Sequence, residues 1–181
     1  MEKKLKAIIL VIFLCTAQYS FAGRRAPLET VEYVSIDKYL GTWYEIASFP
    51  QKFQKGCTAT KAEYSMRDDG DLKVLNSCNL GSPDGELKQA QGRAWVKNKK
   101  TNAKLKVQFF LREFRFFLFS GNYWILDLDE NYDSVLVGDK SRKYLWILSR
   151  DPKLNTERYN ELVAKARKLK FDVSKLVKTI H

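Results

Sequence analysis

The chain has one histidine, His181, so it offers no pair of imidazoles for a metal and no internal histidine to act as base beside a nucleophile. A glycine-rich phosphate loop, a nucleophile elbow and a cluster of metal-ligating side chains are also missing. The sequence therefore offers no ground for a hydrolase, a phosphotransferase or a metalloenzyme. It points to a protein that is not an enzyme and carries no cofactor. The longest apolar run, Leu5 to Thr16, is too short to cross a membrane as a helix. Acidic residues are scarce, 21 against 32 Lys and Arg, for a formal charge of +11. Cysteines number three, and Cys15 falls in that apolar run.

The first 22 residues have the layout of a secretory leader. Lys3, Lys4 and Lys6 precede the apolar run, and Ser20-Phe21-Ala22 supplies small residues where a signal peptidase cuts. Cleavage after Ala22 would leave residues 23–181 as one domain, a length that suits a real core. The rival reading is an acylated Cys15, which Ile12-Phe13-Leu14 fits poorly because a small residue normally precedes such a cysteine. Loss of the leader lowers the formal charge from +11 to +9. A chain this basic is drawn to anionic surfaces, and export favours a membrane leaflet over nucleic acid. Cys57 and Cys78 remain. Export, an even count and their places flanking an expected hairpin imply a disulfide worth about 3 kcal/mol. The alternative is a free reactive thiol.

Eight strand-like runs follow a one-turn helix at residues 35–40. They span 42–49, 58–66, 72–78, 89–97, 105–110, 123–128, 134–137 and 144–149. Asp68-Asp69-Gly70-Asp71 is a hairpin turn, and 98–102 and 129–131 are further polar turns. This meander predicts an all-β protein, an eight-stranded antiparallel up-and-down barrel whose closure removes exposed edges. The period then changes. Asn155 or Thr156 caps a helix in which Tyr159, Leu162, Val163, Ala166 and Leu169 recur at helical spacing, with cations in its last turns. One C-terminal α-helix should pack on the outside of the barrel.

Two strings carry more information than the rest: Gly41-Thr42-Trp43-Tyr44-Glu45-Ile46-Ala47 and Tyr144-Leu145-Trp146-Ile147-Leu148-Ser149-Arg150. With Tyr64-Ser65-Met66-Arg67-Asp68-Asp69-Gly70 and Leu105-Lys106-Val107-Gln108-Phe109-Phe110, they resemble the lipocalins. Within that family the pattern resembles the bacterial outer-membrane lipocalins, relatives of apolipoprotein D. The likeness runs from about Ile36 to Leu176. The middle motif is only partly kept, since Asp127-Leu128-Asp129-Glu130-Asn131-Tyr132 stands where Thr-Asp-Tyr is common, and the acylation motif is missing. The resemblance implies that Gly41, Trp43 and Arg150 close one end of the barrel. That use suits their chemistry: glycine allows a tight entry, and a guanidinium stacks on an indole for about 1–2 kcal/mol.

Side-chain alternation then assigns the interior. Counting from Trp43 turns Glu45 and Ala47 inward, and counting from Arg150 turns Leu148, Trp146 and Tyr144 inward. An outward Asp127 turns Trp124, Leu126 and Leu128 inward. The resemblance adds Thr60, Ala62, Tyr64, Leu72, Val74 and Asn76, and Ala94, Leu105, Val107 and Phe109 complete the lining. Small residues leave space and aromatics offer flat apolar contact. The resulting expectation is a carrier of acyl-chain lipids, fatty acids or lysophospholipids, in the periplasm or at the outer membrane. A homodimer is left open by the resemblance. The alternatives are a thiol-dependent lipid isomerase, which needs Cys57 or Cys78 free and inward, and a membrane-surface protein without cargo.

Residues 109–119 are rich in phenylalanine and arginine. Phe114, Arg115, Phe116, Phe117 and Phe119 are expected at the open mouth with residues 51–55 and 140–143, as a rim that docks on anionic membranes. The other outcomes are that these rings fold inward as a cap or extend the two flanking strands.

Overall fold

The computed structural model describes residues 26–181 except 111, 112, 116, 117 and 119. The expected leader, residues 1–22, lies outside the described residues.

A one-turn helix, α1 (Ile36–Tyr39), leads into eight antiparallel strands. They are β1 (Gly41–Ser48), β2 (Cys57–Met66), β3 (Leu72–Leu80), β4 (Leu87–Val96), β5 (Lys104–Gln108), β6 (Gly121–Leu128), β7 (Ser134–Gly138) and β8 (Leu145–Ser149). Neighbours in sequence pair in space, and β1 pairs with both β8 and β2, which closes the barrel. The β1–β2 seam is short, with Gly41 to Tyr44 facing Tyr64 to Lys61. Above it, Ala47 and Ser48 pair instead with a two-residue strand, β9 (Val177–Lys178).

The helix α2 (Thr156–Lys168) packs outside the barrel. Asn155 caps it, its Oδ1 accepting from the amides of Glu157 at 2.7 Å and Arg158 at 3.3 Å. Leu162 and Ala166 are its buried residues. No helix among the described residues is long and apolar enough to cross a membrane.

There are two cores. One fills the lower barrel with Tyr39, Trp43, Leu72, Ala94, Leu105 and Ile125 among others. The other lies between the outer wall and α2 and holds Ala47, Leu126, Leu136, Leu145, Ile147 and Leu162. β-bulges let single strands serve both. The register of β1 shifts between Glu45 and Ala47, and that of β6 shifts between Ile125 and Asp127. A bulge inserts one residue and reverses the inside–outside phase beyond it.

Cys57 and Cys78 form a disulfide, with Cα atoms 5.4 Å apart across β2 and β3. Cys57 and Cys78, one of which the isomerase alternative needs free, are therefore bonded to each other.

Candidate functional site

The turns at 67–71, 97–103 and 129–133 lie at one end of the barrel, and that end is plugged. The Arg150 guanidinium sits 3.9 Å from the centre of the Trp43 ring. It also donates to the carbonyls of Thr42 and Lys38, both at 2.8 Å, and of Tyr132 at 3.2 Å. The indole N–H of Trp43 donates to the Tyr39 carbonyl at 2.8 Å. Gly41 has φ +92°, and a Cβ there would approach Arg150 Nη1 to 3.3 Å, so both its conformation and its bareness are used.

Above the plug stand three buried phenols. The hydroxyls of Tyr39 and Tyr123 are 2.7 Å apart, and Tyr64 donates to Tyr123 at 2.9 Å. Burial raises all three pKa values, that of Tyr64 to about 12 and those of Tyr39 and Tyr123 well above the ordinary value. Tyr123 then leads to Trp146, 6.4 Å between ring centres, and Trp146 stacks with Tyr144 at 6.0 Å. An aromatic column thus runs from the plug to the opposite end.

That end holds a cavity of about 450 Å³. Tyr64, Val74, Val107, Tyr123, Trp146 and Leu148 form its apolar walls, with Ala62 beside them. Phe109 and Phe110 close one side, and Phe109 lies over Gly92, whose missing side chain makes room for the ring. Toward the mouth the lining turns polar, with Glu45, Gln51, Gln54, Thr60, Asn76 and Asp139. The Glu45 carboxylate accepts from Ser48 Oγ at 3.0 Å, Gln54 Nε2 at 2.8 Å and Thr179 Oγ1 at 2.8 Å.

Eleven of the residues expected inside line this cavity: Glu45, Thr60, Ala62, Tyr64, Val74, Asn76, Val107, Phe109, Tyr144, Trp146 and Leu148. Seven do not, and three of these, Leu72, Leu105 and Leu128, pack in or against the lower core. Ala94 faces inward but is packed in the lower core, below the open space. Ala47 follows the bulge in β1 and belongs to the core beneath α2. Leu126 does the same in β6, where Asp127 does face outward and binds Arg158 of α2. Counting back in twos from Asp127 crosses the bulge, so Trp124 also lies outside. Lys104 Nζ stands 4.6 Å from the centre of its ring, and Lys97, Lys106 and Lys140 surround it. Alternation carried through the bulges produced these errors, and it likewise missed Tyr123. Gln51 and Gln54 were missed as lining because they lie in the loop after β1, where periodicity says nothing.

The aromatic segment departs from its expected course. Strand β5 ends at Gln108, opposite Arg93, midway along β4. Beyond Phe109 and Phe110, which border the cavity, residues 113–115 lie on the outer wall instead of standing at the mouth. Gln108 Nε2 donates to the Phe114 carbonyl at 3.0 Å, and Arg93 donates to the Glu113 carbonyl at 2.9 Å. Arg115 pairs with Asp71 at the plugged end. Phe114 and Leu118 are 70% and 93% exposed. Phe116, Phe117 and Phe119 lie outside the described residues.

Residues 34–181 match the family model described as a lipocalin-like domain. The chain is 41% identical over 155 residues to temperature-induced lipocalin-1 of Arabidopsis thaliana, covering 84% of this chain and 82% of that one. It is 43% identical over 141 residues to the outer membrane lipoprotein Blc of Escherichia coli strain K12, with coverage of 77% and 75%. Among solved structures, insecticyanin from the tobacco hornworm Manduca sexta superposes with a TM-score of 0.66 at 20% identity, over 85% of this chain and 84% of that one. This last likeness concerns the fold.

Proposed function

The chain belongs to the lipocalin family, and from that premise we propose that it binds acyl-chain lipids, fatty acids or lysophospholipids, in the barrel and carries or stores them at a cell envelope. The observation that carries this reading is the cavity. Its volume of about 450 Å³ falls within the range of about 300–1,000 Å³ usual for small-molecule sites, and its apolar walls suit one hydrocarbon chain. The envelope location is supported by the leader-like residues 1–22 and by the similarity to a protein named as an outer membrane lipoprotein. Organic extraction of the purified protein followed by mass spectrometry tests the cargo. Acyl lipid in stoichiometric amount is expected. A protein that yields none, and takes up none when offered palmitate or a lysophospholipid, would overturn the reading.

A second reading, contact with a membrane surface, is favoured by the exposed rings of Phe110 and Phe114 and by Leu118. Anionic vesicles should then float more protein than neutral ones, and Phe114→Ser should lower that amount. Equal flotation of parent and variant removes the idea.

A further inference from the structure

We propose that Glu45, Gln51, Gln54 and Thr60 form a head-group subsite that prefers acyl lipids whose uncharged head both donates and accepts a hydrogen bond. A hydroxyl or a primary amide qualifies, and an ionised carboxylate does not. The proposal rests on the reading above that the cargo is an acyl-chain lipid, and it narrows that cargo from ionised fatty acids and lysophospholipids to acyl lipids with an uncharged head.

Gln51 is the key residue. It is only 8% exposed, lines the cavity, and neither Nε2 nor Oε1 has a partner among the described residues. Gln54 is half satisfied, with Nε2 on Glu45 and Oε1 unpartnered. Buried side-chain amides are nearly always bonded, because an unmade bond there forfeits the water it displaced. Gln51 thus offers a donor nitrogen with two N–H groups and an acceptor oxygen, and a ligand group that only accepts leaves the oxygen unmet.

Charge selects in the same direction. Both oxygens of Glu45 already accept, so a ligand carboxylate beside it would meet a like charge in a partly dry site. Lys61 is the one cation lining the first cavity among the described residues, and it lies 3.7 Å from Glu63, while Lys52, Lys55 and Lys178 of the neighbouring cavity are exposed and the Lys178 Nζ lies over the Tyr159 ring. Asp139 is committed to its own loop, where it accepts from the amides of Ser141, Lys143 and Tyr144. There is also room. The same four residues border a second cavity of about 510 Å³, under residues 177–180, so a head larger than a single hydroxyl fits.

The test is displacement of N-phenyl-1-naphthylamine, an uncharged fluorescent probe, by palmitate, 1-monopalmitoylglycerol and palmitamide at about pH 8, where the free acid is ionised. The glycerol ester and the amide should displace the probe at about tenfold lower concentration than palmitate. Gln51→Leu should weaken those two about tenfold and leave palmitate unchanged, whereas Glu45→Gln should strengthen palmitate. Palmitate binding to the parent as tightly as its neutral analogues overturns the proposal. So does a ranking that Gln51→Leu leaves unaltered. Should that variant fail to fold, the parent's ranking still decides. If neither the probe nor any of the three ligands binds, the cargo reading itself has failed and the subsite falls with it.

Discussion

The two ends of the barrel differ in how fully their polar groups are satisfied. At the plugged end the Trp43 indole, the Arg150 guanidinium and the three phenols all have partners, and the rings pack against one another. At the open end a buried amide has none among the described residues and a second is half satisfied. Burial alone does not separate the ends, since Gln51 is nearly as hidden as Tyr64. A satisfied buried network contributes to stability, and an unsatisfied one costs stability until a ligand completes it. The plugged end therefore reads as scaffold and the open end as site.

The strongest way to break this contrast is to remove the plug. Trp43→Ala should cost about 3–5 kcal/mol, the usual loss for deleting a buried indole, and should also strand the Arg150 guanidinium. Urea denaturation measures it, and a loss below about 1 kcal/mol would mean that the plug is ornamental. Alkaline pH should come next. Unfolded tyrosine ionises near pH 10, whereas Tyr64 in the fold holds its proton to about 12 and burial likewise holds Tyr39 and Tyr123 well above their ordinary value. Their contribution is complete below about pH 10 and is lost as pH rises toward 12, by about 1.4 kcal/mol per pH unit for each phenol. Tyr123→Phe should flatten that slope. Identical slopes for parent and variant would remove the phenols from the account.

At the open end the sign should reverse. Gln51→Leu should stabilise the empty protein by about 1 kcal/mol, because it replaces an unsatisfied buried amide with an apolar side chain. A variant that melts below the parent would show that the amide is satisfied after all. The smallest effect concerns the two tryptophans. Trp146→Phe should abolish the fluorescence change on ligand binding, whereas Trp124→Phe, on the outer wall, should leave it in place. Equal changes in both variants would contradict their placement on opposite faces.

Much of the scaffold was legible because it depends on alternation and on turn chemistry. Strand-like runs between polar turns located the eight strands, and the change to a period of 3.6 residues located the outer helix. Trp146 could be placed because β8 alternates without interruption from Arg150. Trp124 could not, since the bulge in β6 is set by pairing with β7 and leaves no mark on the local pattern. Gln51 and Gln54 were beyond reach for another reason. Two glutamines in a polar loop look solvated until the fold buries them. The path of Glu113 to Arg115 was equally hidden, because it depends on an ion pair with Asp71, 44 residues away.

The short seam between β1 and β2 also fixes when the mouth can form. Thr179, which bonds the Glu45 carboxylate, lies 134 residues downstream of it, and the His181 ring lies 2.8 Å from the Glu45 carbonyl oxygen across 136 residues. The strand that pairs with Ala47 and Ser48 is Val177–Lys178. A chain made from its N-terminus can complete the plug once Arg150 has been made, but the mouth must wait for residues 177–181. Contacts so distant in sequence are slow to close. The scaffold can thus take shape while the mouth still lacks its last strand, and any delay in finishing the chain falls on the mouth.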